Sequence, residues 1–272
     1  MIVRYALMNQ GPEAVEHDLF SRAFAGVPGL TPIDAGLLGN PDCGILIRKL
    51  TLEQGTALKT NLKAAGIETE VVPESTLPVL PNGKVIRSLE FSPEILNVRD
   101  CIQRTTGVGR QDLKLLAAGS TRIATFPRER KEVEVTRIEW VHAGHGAFPM
   151  IKHETRVQLV QREAEQWVLR AEILVPVVNQ RFIIEGENFD YRCLGSAMTH
   201  DLSTNFCLLI RELARSYSPP LLSRGVTSIL ADPPEFAYYP NKDAFHNELI
   251  WLLWRDSRLP SVAEGESHLA PP

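Results

Sequence analysis

The sequence has no surplus of basic residues: 29 Lys and Arg stand against 33 Asp and Glu, a formal net charge of −4. A dedicated nucleic-acid binder usually carries the opposite balance, so no nucleic-acid partner is expected. Long apolar runs are missing as well. ILVPVV and LIWLLW fall far short of the roughly 18 apolar residues of a membrane span, so no transmembrane segment is expected. The apolar stretch in MIVRYALMNQGPEAVEHD is too short for a secretory signal. Cysteine is scarce. Cys43, Cys101, Cys193 and Cys207 are widely spaced and form no C-x-x-C pair, which argues against a disulfide framework or a cysteine zinc site. Free thiols in a reducing cytoplasm are the expectation.

The marks of common chemistries are absent too. There is no G-x-S-x-G and no H-E-x-x-H. Gly107, Gly109 and Arg110 suggest a phosphate loop, but the third glycine of a dinucleotide fingerprint and the Gly-Lys-Ser/Thr of a P-loop are missing. No cofactor is expected. Glu185, Glu187 and Asp190 lack the alternate ligands and closing Glu of a calcium loop and read as a turn with Phe189 and Tyr191 packed inward.

What is present is local architecture. In residues 51–73, Thr51 and Gln54 make a capping box, and Leu58, Leu62 and Ala65 share a helical face. Gly66 stands where a helix needs a left-handed closing residue. Ile67, Thr69 and Val71 then alternate with Glu68 and Glu70, as in a half-buried strand. Before this, IVRYALM reads as a strand. A helix is expected from Pro12 through Val15, Leu19, Ala23 and Phe24, then a helical turn at 33–38 and a strand at 43–50. The expected order is β-α-(α)-β-α-β, complete by Glu74.

Gly29-Leu30-Thr31-Pro32-Ile33-Asp34-Ala35, then Pro41, Leu58, Leu62 and Ala65–Val71, resemble the C-terminal domain of the bacterial ribosomal stalk protein and the protease-adaptor domain of similar fold. The resemblance implies a small α/β sandwich at 1–74 used for docking rather than catalysis. The stalk family's factor-binding lysines have no counterpart in Ile33–Leu38.

Residues 75–83 carry two prolines and Asn-Gly and read as a linker. Beyond it, 84–89, 95–102, 113–118, 121–126, 132–141, 154–161, 167–174 and 180–185 favour strand. A helix follows at 201–217 with Phe206, Leu209, Ile210, Leu213 and Tyr217 on one face, and 225–230 reads as a further strand. Strands closed by one helix resemble a pleckstrin-homology-like barrel in topology. The expected fold is therefore α+β: the sandwich, an antiparallel β-barrel over 84–231 closed by one helix, a helical aromatic tail at 232–256, and disorder over 257–272.

Three clusters are candidate sites. His142, His145 and His153 are the only group with metal-ligand flavour, though a hairpin-loop setting favours no metal. Arg104, Arg110 and Lys114 suggest an anion-binding face, with Arg128, Arg130 and Lys131 as a second. Phe236, Tyr238, Tyr239, Trp251 and Trp254 suggest a protein interface, including a homodimer contact through the tail. The expected function is a non-catalytic, cytoplasmic binding or scaffold protein with a protein partner or itself. A metal-dependent enzyme using the loop histidines and a membrane-surface adaptor for an anionic head group are the alternatives.

Overall fold

The structure, a computed structural model, describes residues 3–42, 44–125, 128–143, 146–161 and 164–258. The first elements are β1 (Tyr5–Asn9), α1 (His17–Ala23), α2 (Pro32–Leu38), β2 (Ile45–Leu50), α3 (Leu52–Ala64) and β3 (Thr69–Pro73). This is the expected order. The strands form an antiparallel sheet, β2-β1-β3. Thr51 and Gln54 cap α3 reciprocally, and Gly66 takes φ +82° just beyond its end. α1 begins at His17 rather than Pro12, because the Val15 N–H donates to the Pro41 carbonyl and holds that stretch extended.

The second sheet is built from β4 (Gly83–Phe91), β5 (Ile95–Asp100), β6 (Thr105–Gly109), β7 (Leu115–Thr125), β10 (Ala164–Val175), β11 (Gln180–Glu185), β12 (Leu221–Leu222) and β13 (Tyr238–Tyr239). The remaining helices are α4 (Leu202–Tyr217), α5 (Arg224–Leu230) and α6 (Lys242–Asp256). The sheet runs β12-β7-β10-β11-β4-β5-β6, with β13 also on β7. It is open, and β11–β4, β12–β7 and β13–β7 are parallel pairs, so the expected closed antiparallel barrel is not formed.

The reason lies in the alternation of side chains. Leu116, Ala118, Ala171 and Ile173 face α4 and α5 together with Phe206, Leu209, Ile210 and Leu213. Leu115, Ala117 and Leu174 point the other way, onto Tyr239, Phe245 and Leu249. Helices cover both faces, and no lumen is left to close around. α4 buries the face expected of it. Residues 224–230 are a helix, capped by the Ser223 hydroxyl, instead of a strand.

The boundary expected at 75–83 does not divide the protein. Met1–Thr121 and Val168–Pro272 form one compact unit, and Arg122–Trp167 a second. Leu77 is buried among Ala6, Met8, Ile45, Val72, Trp251 and Trp254. The other face of the small sheet, with Leu7, Leu46, Ile47 and Leu50, packs on Phe20, Phe24, Leu58 and Leu62 of α1 and α3. α6 therefore has two apolar faces, one on each sheet, and the layers run α1/α3, small sheet, α6, large sheet, α4/α5. In the second unit, β8 (Arg128–Ala143) and β9 (Gly146–Gln161) pair along their whole length as a two-stranded hairpin. Among the described residues no helix is long and apolar enough to cross a membrane. The expectation of disorder from 259 onward concerns residues outside those described.

Candidate functional site

Because α6 lies between the sheets, its N-terminal half faces the edge strand β2 across a cleft of about 940 Å³. Arg4, Arg48, Lys49, Arg181 and His246 line the cleft, against Glu74 and Asp243. Four arginine and lysine charges thus meet two carboxylates. Leu37 and Leu38 of α2 add an exposed apolar rim.

Arg181 is placed from below. On β10, Ala171 and Ile173 face α4, so Glu172 faces α6 and is fully buried. Arg181 on β11 stands opposite Leu174 and reaches Glu172 across the strand pair, its Nη1 donating to Oε2 at 2.6 Å. Arg170 Nε donates to Oε1 at 2.7 Å. His246 Nε2 lies 3.1 Å from Oε1 and 2.7 Å from Arg181 Nη1. Burial pushes the Glu172 carboxyl up, but the hydrogen bond from His246 and the charges of Arg170, His246 and Arg181 outweigh it and hold the group at about 2. Glu172 is therefore a fixed anion at neutral pH and poorly matched to proton transfer there. Arg181 Nε donates to the Pro81 carbonyl at 3.0 Å. Nε and Nη1 are thus committed within the chain, and Nη2, beside Gly83, is the nitrogen these bonds do not use.

At the rim, Lys49 adopts φ 62° at a register shift in β2. Its N–H donates to Glu74 Oε1 at 2.5 Å, and its carbonyl accepts from Arg4 Nη1 at 3.3 Å. Arg48 donates to Asn247 Oδ1 at 3.3 Å and lies 3.5 Å from Glu74. The side chains thus cap the bulged edge and turn it toward the cleft.

A second cavity, about 360 Å³, lies on the other side of α6 beside Glu248, Arg224 and Trp251. Glu248 is buried, and its oxygens accept from the Arg224 N–H and the Tyr239 hydroxyl, each at 2.6 Å. Burial pushes Glu248 up against the lowering effect of those bonds. Burial and the Glu248 charge push the Tyr239 phenol up, so it stays a donor. Both carboxylate oxygens serve the chain itself, where they fasten α6 to the start of α5.

The clusters expected from sequence are taken apart. Arg104 Nε donates to Asp100 Oδ2 at 3.0 Å, Lys114 pairs with Asp256 at 2.7 Å, and Arg110 is exposed in a separate turn. The three basic residues share no face because β6 separates the first two and each outer one already has a carboxylate. Lys131 is exposed on β8; the side chains of Arg128 and Arg130 lie outside the described set. His142 stands opposite Ala147 and His153 opposite Thr136, six positions apart along the hairpin, or about 20 Å. That separation forbids a shared metal ion, and His145 lies outside the described residues. Among the described residues, no group of three metal-ligating side chains is formed.

Of the aromatic group, Tyr239, Trp251 and Trp254 are buried within the chain, and Phe236 packs on Phe206. Tyr238 alone is largely exposed, at 61%. The tail is not an exposed interface: its two tryptophans pack on the small sheet. Comparison with protein-family models, with curated proteins and with solved structures gave no match.

Proposed function

We propose that this chain is a non-catalytic binding protein and that its ligand is an anion with an apolar portion, held between β2, α2 and α6. The observation that carries this reading is Arg181. Its side chain is only 9% exposed, and it is oriented by Glu172 and Pro81 before any ligand arrives. A guanidinium fixed this way loses little conformational entropy on binding, and its Nη2 remains to donate to a carboxylate or phosphate oxygen. Arg4, Arg48 and Lys49 add charge at the mouth, and Leu37 and Leu38 offer apolar contact.

The test is thermal unfolding in citrate and in pyrophosphate, against sodium chloride of equal ionic strength. Either polyvalent anion is expected to raise Tm saturably, and the double variant Arg48→Ala, Lys49→Ala to lose most of that rise. An equal rise in sodium chloride, or an undiminished rise in the variant, would count against the cleft as an anion site.

A further inference from the structure

The hairpin β8–β9 is the least self-sufficient part of the molecule. It pairs sixteen residues of each strand, a ribbon about 50 Å long. Among the described residues no other strand pairs with either of its edges. Two-stranded ribbons are marginal in water without a further strand or a packing surface. Ile138 and Ile151 stand opposite each other on one face, 63% and 62% exposed, and Met150 on the other face is 52% exposed.

The two edges differ. β8 carries eight charged residues, Arg128 to Lys131 with Glu132, Glu134, Arg137 and Glu139, and a strand so charged resists edge pairing. β9 carries three, Lys152, Glu154 and Arg156. Counted from the Ala143–Gly146 pair, the odd-numbered residues of β9 turn their N–H and C=O groups away from β8. Thr155, His153 and Val157 therefore form an open row of donors and acceptors.

We infer that β9 pairs antiparallel with β9 of a second copy of this chain, about a two-fold axis at Thr155, to make a four-stranded sheet and a homodimer. In that register Thr155 meets Thr155 as a hydrogen-bonded pair, and His153 meets Val157. Glu154 falls opposite Arg156 of the second copy, twice over, at the closer non-hydrogen-bonded positions. Ile151 and Met150 stand opposite positions 159 and 160, Leu and Val. Registers centred on Glu154 or on Arg156 set like charges face to face. A register centred on His153 sets Met150 against Arg156. Within one chain Arg156 Nη2 already lies 3.5 Å from Glu154 Oε2, so the exchange costs one exposed ion pair per chain and returns two across the axis. The contact is isologous, which closes the assembly at two copies.

Sedimentation velocity on the full chain at micromolar concentration tests this. The expected mass is twice the 30.4 kDa of one chain. Thr155→Pro removes an outward N–H that the hairpin itself does not use, so the variant is expected to stay folded and run as a monomer. Arg156→Glu is expected to weaken the dimer about tenfold or more, and Glu154→Arg with Arg156→Glu to restore it. A wild-type monomer would overturn the inference. So would an Arg156→Glu variant whose dimer dissociates at the same concentration as the wild type, whether or not Thr155→Pro folds.

Discussion

Trp251→Ala is expected to lower the stability of the whole chain by about 3–5 kcal/mol, the range for deleting a large buried aromatic side chain. Trp251 is only 6% exposed and packs among Ala6, Met8, Ile45 and Val72 of the small sheet. Its indole N–H donates to the Asn9 carbonyl at 2.8 Å, so the substitution also leaves a buried acceptor without its partner. A Cβ built on Gly44 would come within 1.9 Å of the same ring, which shows how closely β2 approaches α6. Urea unfolding followed by far-ultraviolet circular dichroism measures the loss. A change below about 1 kcal/mol would place α6 on the surface of the small sheet rather than in its core.

Glu172→Ala is the second large effect. The substitution leaves Arg170 and Arg181 buried beside each other with no carboxylate between them. Breaking a buried ion group by removing one member typically costs about 3–5 kcal/mol. Replacing all three with Met, Leu and Met is expected to recover much of the stability, since desolvation is then avoided for every charge. That triple variant should nonetheless lose the response to citrate, which separates the binding role of Arg181 from its structural one. The pH dependence follows in sign from the depressed carboxyl. In the unfolded chain Glu172 titrates near its ordinary 4.5, and in the folded chain at about 2. Its contribution is therefore fully present above about 4.5 and is lost as pH falls from there toward 2. Stability that Glu172→Gln lowers equally at pH 7 and at pH 2.5 would contradict this assignment.

Much of the small sheet was legible because its signals are local. The capping box at Thr51 and the left-handed Gly66 each act within a few residues, and both stand in the structure; the strand expected from Ile67 begins at Thr69, and its burial does not alternate, because Val72 on its other face is buried under α6. α4 was legible for the same reason, with one apolar face and a capping Asp201. The open sheet was not, because strand propensity does not say which edges meet. The apolar run Leu115–Ala118 has both parities buried, a sign of helices on both faces, and that sign was present in the sequence.

The cleft was harder to read. Arg48 and Lys49 of β2, Arg181 of β11, His246 of α6 and Arg4, just before β1, converge only through packing. One signal was available: Glu172 sits in an otherwise apolar strand, Ala171 to Val175, and a charge there needs a partner. The tail aromatics drew attention for their number, yet they are the core between two sheets. Aromatic density alone does not distinguish an interface between proteins from one within a chain.

The central claim is that α6 is a shared layer which makes the two sheets one cooperative body. Native-state hydrogen exchange at the amides of β1 and β7 tests it most directly. The expected result is that both strands exchange through the same global opening, with equal free energies, and that Trp251→Ala lowers both by the same amount. Exchange of β1 through a smaller, independent opening, with β7 unaffected by Trp251→Ala, would contradict it.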